Sequence, residues 1–271
     1  MAETPPTPLR GAWQPFTFRG VAAFARAGYG RLFVVQLLTA SLVAASVVWF
    51  LGHCYAPVIT QAAQKLPDAA GITNGQLAGF DALEISETKF LSVAFAPDEE
   101  AELDRSADVQ IVFRKDRIIV SSLLSSVLGS LELSYAAVNN LDMSRAQLEP
   151  LWGAWRPVLL VGVGIAVVLC LMLLWLVLAL VYAPAAKLIA WLCDRDLTWA
   201  GSWRLAGAAL LPGAVLVAAA IVLYGWQVLD VFGLGWLEMV HLLIGWVYLV
   251  TAPIFAPRLT AAVVKPNPFV S

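Results

Sequence analysis

Four apolar runs, separated by stretches where charge and turn residues return, organise this chain. Leu32–Gly52 holds no ionisable side chain before His53, Val158–Ala183 runs for 26 residues without a charge, and Leu205–Gly225 is a third such run. The fourth begins at Trp236 and carries Glu238 and His241 near its start. A helix rises about 1.5 Å per residue, so crossing about 30 Å of hydrocarbon takes roughly 20 residues. Each run meets that length and lacks turn chemistry. The pattern predicts a membrane α-helical protein with four transmembrane helices at residues 32–52, 158–183, 205–225 and 236–257.

Residues 53–157, between the first two runs, carry a different period. After a linker through Pro67, short strand candidates occur at Gln76–Phe80, Phe90–Ala96, Val109–Phe113, Arg117–Ser121 and Ser130–Tyr135. Val109, Ile111 and Phe113 alternate with Gln110, as in a half-buried strand. Arg114-Lys115-Asp116 reads as a hairpin tip, Pro97-Asp98-Glu99-Glu100 as a helix start, and Ser144–Trp155 as a helix leading into the second span. The prediction is a small extracytoplasmic α+β domain with an antiparallel sheet, inserted between transmembrane helices 1 and 2.

Composition agrees. Sixty per cent of residues are hydrophobic and 13% charged, against about a quarter charged in soluble domains. The flank before the first run holds Arg10, Arg19, Arg26 and Arg31, the connection 184–204 holds Lys187, Arg195 and Arg204, and the tail holds Arg258 and Lys265. The short turn 226–235 has no basic residue. Cytoplasmic loops carry the excess of Lys and Arg, so both termini are expected inside. Residues 53–156 carry 8 basic and 14 acidic side chains, a net of −6. Trp49, Trp152, Trp155, Trp226 and Trp236 then fall at the outer interface, and Trp191, Trp199 and Trp203 at the inner one, where indole rings prefer to sit.

The flanks predict contact with lipid. Phe16, Phe18, Val21, Phe24 and Ala25 lie among arginines and read as an interfacial helix on anionic lipid, with Gly28 and Gly30 supplying the bend. Arg19, Arg26, Arg31 and Arg204 are the basic residues expected at the membrane interface. Residues 187–204 have a similar apolar face, and the hydrophobic setting of these arginines argues against nucleic acid. Pro212 and Gly213, and Pro253 with Pro257, predict kinks in the third and fourth spans.

Glu238 and His241, spaced i, i+3, share a helical face. Ionisable groups inside a membrane raise a functional hypothesis, and His53 is a candidate neighbour at the same depth. The pair reads first as an interfacial carboxylate hydrogen-bonded to a neutral imidazole, with proton or ion coupling and metal binding as alternatives. Asp98, Glu99, Glu100, Glu102, Asp104 and Asp108 read as a solvated acidic face, since they lack the spacing of an EF-hand loop. The three cysteines, Cys54, Cys170 and Cys193, fall at three different depths, so no internal disulfide is expected. No catalytic constellation, cofactor motif or metal site is predicted.

Three stretches carry a family likeness: Phe16–Arg31; Gly71–Leu77 with Ile111–Ile118; and Leu197-Thr198 with Trp203-Arg204-Leu205 and Ala209–Pro212. Through them nearly the whole chain resembles the bacterial membrane-protein family catalogued as domain of unknown function 1189, and Leu205–Pro212 is also similar to the Yip1-type membrane domain. The acidic run Asp98–Asp104 departs from the family pattern. The resemblance implies four spans, an outer β-rich domain and a multi-pass location in a bacterial plasma (inner) membrane. It supplies no activity.

The expectation is therefore a non-enzymatic polytopic membrane protein, an accessory or sensing component whose outer domain binds a partner or ligand. The alternative is a small oligomeric transporter or ion-coupled protein using Glu238 and His241. The expected partners are the lipid bilayer, a membrane or envelope protein, and a second copy of the chain.

Overall fold

The computed structural model describes residues 14–80, 84–96, 107–123, 125, 129–138 and 140–258. These form two bodies: a helical one within residues 14–46 and 165–258, and a mixed one within residues 47–164. Among the described residues four helical stretches are long and apolar enough to cross a membrane: Tyr29–Lys65, Arg145–Leu192, Trp199–Gly225 and Val231–Phe255. Each exceeds its apolar run at one end or both, because a helix need not stop where the sequence turns polar.

The helical body starts with α1 (Phe18–Phe24), capped by Thr17 Oγ1, which accepts the Gly20 N–H at 3.0 Å. Val21, Phe24 and Ala25, read from the sequence as a lipid-facing stripe, are instead buried in the protein core, while Phe16 stays exposed. Gly28 precedes α2 (Tyr29–Phe50), whose residues through Ser46 belong to this body. The long helix α4 (Arg145–Leu192) buries little besides Trp175, Ala179, Ala183, Ala186 and Ala190. The four alanines fall at helical spacing, a small-residue stripe that lets backbones approach closely. α5 (Trp199–Ala209) meets it there: a Cβ on Gly207 would lie 3.5 Å from Ala179 Cβ and 3.1 Å from Gln36 Nε2.

Where a kink was expected, around Pro212, one helix gives way to the next. α5 ends at Ala209 and α6 (Leu211–Gly225) begins after Leu210, placing Pro212 in a first turn where no N–H is required. α7 (Val231–Thr251) is capped by Asp230, which accepts the Gly233 N–H at 2.7 Å. It gives way to a 3₁₀ turn, Ala252–Phe255, at Pro253.

The mixed body opens with a correction. The expected linker from His53 to Pro67 is helical almost throughout: a π turn, Leu51–Tyr55, continues α2 into α3 (Ala56–Lys65). Pro57 explains the widened turn. Its ring clashes with the carbonyl four residues back, and the chain relieves this by bonding the Ala56 N–H to the Leu51 carbonyl, five residues back.

Two sheets follow. β1 (Gly71–Thr73) lies between β2 (Gln76–Ala78) and β8 (Asn140–Asp142), all antiparallel. The second sheet runs in the order β3 (Glu84–Glu87), β4 (Leu91–Phe95), β5 (Val109–Phe113), β6 (Arg117–Ser122), β7 (Leu131–Ser134). Its pairs are antiparallel except β4 with β5, which run parallel, with Phe95 opposite Phe113. A parallel pair needs a crossover of about a dozen residues or more, and the connection Ala96–Asp108 provides it. The helix start expected at Pro97 and the acids from Asp98 to Asp104 lie outside the described residues. The hairpin tip at Arg114-Lys115-Asp116 is present, with Arg117 bonded to Asp116 at 2.9 Å and Glu132 at 3.2 Å.

Candidate functional site

The mixed body contains an apolar cavity of about 440 Å³. Ile59 of α3, Leu66 just after its end, Phe95 of β4, Phe113 of β5, and Trp152 and Leu159 of α4 contribute walls, and none of its lining side chains is charged. The strand pattern accounts for one wall. Val93 and Phe95 stand opposite Ile111 and Phe113 in register, and the Phe95 ring stacks 4.7 Å from both Phe80 and Phe113. Gln110 and Val112, on the other face of β5, are the more deeply buried pair, whereas Val109, Ile111 and Phe113 are only half-buried. This inverts the expected alternation; of the three half-buried residues, Phe113 lines the cavity.

Three hydrogen bonds between α3, the turn before it and α4 hold the walls in place. Gln64 Nε2 donates to Glu149 Oε1 at 3.3 Å, Trp152 Nε1 to Thr60 Oγ1 at 2.9 Å, and Arg156 Nη2 to the Gly52 carbonyl at 3.3 Å. Along α4 the partners step by three and then four residues, about a turn each, whereas on the other side Thr60 lies one turn from Gln64 and Gly52 about two turns further back. Arg145 Nε also reaches Glu149, at 3.0 Å. That bond holds the Glu149 carboxyl below its usual range, with the Gln64 contact adding to it. The indole N–H on the cavity wall is thus already spent on Thr60. No sequence signal could have found the cavity, since its walls come from segments far apart in the chain.

The predicted polar pair does meet: Glu238 Oε2 stands 3.1 Å from His241 Nδ1. The approach is too bent for a ring N–H hydrogen bond, so Nδ1 is buried without an aligned partner. The side chains remain 41% and 28% exposed, on a helix whose Trp236, Met239 and Leu242 are exposed as well. Behind them Gly213 of α6 packs against the backbone, where an added Cβ would fall 2.6 Å from the His241 carbonyl oxygen. His53 belongs to the mixed body, in the π turn, where its ring stacks on Trp49 at 5.4 Å. Among the described residues no group of three or more His, Cys, Asp or Glu side chains could hold a metal ion.

The basic residues of the flanks tie the helical body to itself. Arg26 pairs with Asp196 at 3.5 Å, and Arg204 donates to the Ala25 carbonyl at 2.6 Å with its guanidinium 4.8 Å from the Tyr29 ring centre. Arg19 lies 5.8 Å from the Phe255 ring centre, and Arg195 donates to the Ala256 carbonyl at 2.9 Å. Lys187 donates to the Leu197 carbonyl, and Tyr248 to the Phe16 carbonyl at 2.6 Å. Arg31 is half-buried in the first turn of α2. Sequence reading missed Gln36, Thr39 and Ser202, neutral polar side chains buried in this body. Thr39 and Ser202 bond back to carbonyls four residues earlier, which hides their polarity from neighbouring helices.

Compared with protein-family profiles, with curated proteins and with solved structures, the chain matches none of them.

Proposed function

We propose that this chain is a non-enzymatic membrane protein whose four spans anchor a recognition domain, residues 53–157, outside a bacterial plasma membrane. Both termini lie inside, and the domain binds a ligand or partner in an accessory or sensing role. The preformed apolar cavity is the observation that carries the reading. Its volume falls in the roughly 300–1,000 Å³ range of ligand sites, and it lies in the segment whose sequence differs most from an anchor. The basic flanks support the orientation, and the bacterial location rests on the family resemblance. A rival reading, an oligomeric transporter or ion-coupled protein, draws on the close approach of Glu238 and His241. Against it, that pair lies on a partly exposed helix face.

Gentle detergent extraction from the native membrane, followed by mass spectrometry of co-purifying species, separates the two. A stoichiometric companion should survive Glu238→Gln and disappear when residues 68–143 are replaced by a short flexible linker. Retention after the replacement, with loss on Glu238→Gln, would favour the rival.

A further inference from the structure

Resting on the recognition reading above, we propose that the cavity of the mixed body takes one acyl chain of a phospholipid from the bilayer in which the protein sits. Three observations select that occupant. The first is chemistry. The lining side chains carry no charge, and the Trp152 indole N–H is already donated to Thr60. Nothing on the walls can orient a polar ligand, whereas a methylene chain asks for no orientation.

The second is length. The α4 wall runs from Leu148 to Leu159, about 16 Å at 1.5 Å per residue. One leaflet of hydrocarbon is half of about 30 Å, so the wall matches a single extended lipid tail.

The third is continuity. Leu159 is both a cavity wall and the second residue of the charge-free run 158–183. Beside it Val158 and Val161 are exposed, a surface that hydrocarbon would cover. A chain passing from bilayer to cavity leaves one apolar medium for another, and the gain comes from removing the cavity walls from water. Arg156 shares the α4 face of Trp152 and Leu159 at i, i+4 and i+7. Its one side-chain hydrogen bond among the described residues goes to the Gly52 carbonyl. A guanidinium has five N–H donors, so the remainder suit a lipid phosphate at the cavity mouth.

The test uses the full chain reconstituted in phospholipid vesicles doped with a phospholipid bearing a diazirine in one acyl chain. Illumination and peptide mass spectrometry then map the adducts. The proposal expects adducts on Ile59, Leu66, Phe95 or Phe113, which lie outside all four apolar runs. Ala63→Trp, which fills the cavity, should lower those adducts several-fold while adducts on residues 158–183 persist. That persistence also checks that the variant is folded, and the wild-type map decides the matter if it is not. Adducts confined to the four runs would overturn the proposal. That result would leave the recognition reading standing, since co-purification tests it separately.

Discussion

Gly213 concentrates the constraints of the helical body in one residue. An added methyl would meet the His241 carbonyl oxygen at 2.6 Å, and the obstacle is backbone, which cannot swing aside. Overpacking of this kind costs about 1–3 kcal/mol, so Gly213→Ala should lower the thermal midpoint in detergent; an unchanged midpoint would mean that α6 and α7 do not pack there. Tyr135 offers the opposite case. It is buried with no hydrogen-bond partner for its hydroxyl among the described residues, and burial, aided by the nearby Asp116 carboxylate, raises its pKa well above the ordinary value. The folded state therefore resists an ionisation that the unfolded chain undergoes near pH 10. Stability should be full below that pH and fall as pH rises through it. Tyr135→Phe should flatten this alkaline loss and leave neutral-pH stability equal or higher, as followed by near-ultraviolet circular dichroism against pH. Glu238 and His241 were legible because charge stands out in an apolar run. Gln36 was not, since a neutral side chain among Leu32, Val35 and Thr39 leaves no mark on the pattern.

Among the elements, the α3–α4 pairing holds the cavity open. Trp152→Phe keeps an aromatic side chain, smaller than the indole, and removes the bond to Thr60, itself a loss of about 1 kcal/mol; faster amide exchange across residues 56–65 at unchanged helix content would show it. In the first turns of α4 Arg145 depresses the Glu149 pKa, so that contribution is present above the ordinary carboxylate range and is lost as pH falls through the lowered value. Strands with sustained alternation were legible: β5 was placed at its observed limits and β6 within one residue. β1 was missed because it is three residues long and begins at Gly71. Its hairpin partner β2 falls within the strand expected at Gln76–Phe80, and the turn between them is Asn74-Gly75, both at positive φ, the pairing that a tight hairpin turn demands. The parallel β4–β5 pair was not legible, because period-two alternation carries no information on strand direction. The helical stretch expected as a linker through Pro67 was not legible either, because the π turn Leu51–Tyr55 lets the helix continue past Pro57.

For the whole molecule, the four long helices were legible from composition and length alone. How the flanks pack was not. The apolar residues of α1 suit a lipid surface and a protein core equally well, and only the tertiary partners Tyr248, Phe255 and Arg204 decide between them. The central claim is an anchor that holds the domain on the side opposite both ends. It is tested most directly by thiol accessibility in intact cells. In a background with Cys54, Cys170 and Cys193 replaced by Ala, Leu131→Cys places a thiol on exposed β7, and Ser271→Cys places one at the C-terminus. A membrane-impermeant maleimide should label Leu131→Cys in intact cells, and Ser271→Cys only after permeabilisation. The reverse pattern, or labelling of both without permeabilisation, would contradict the account.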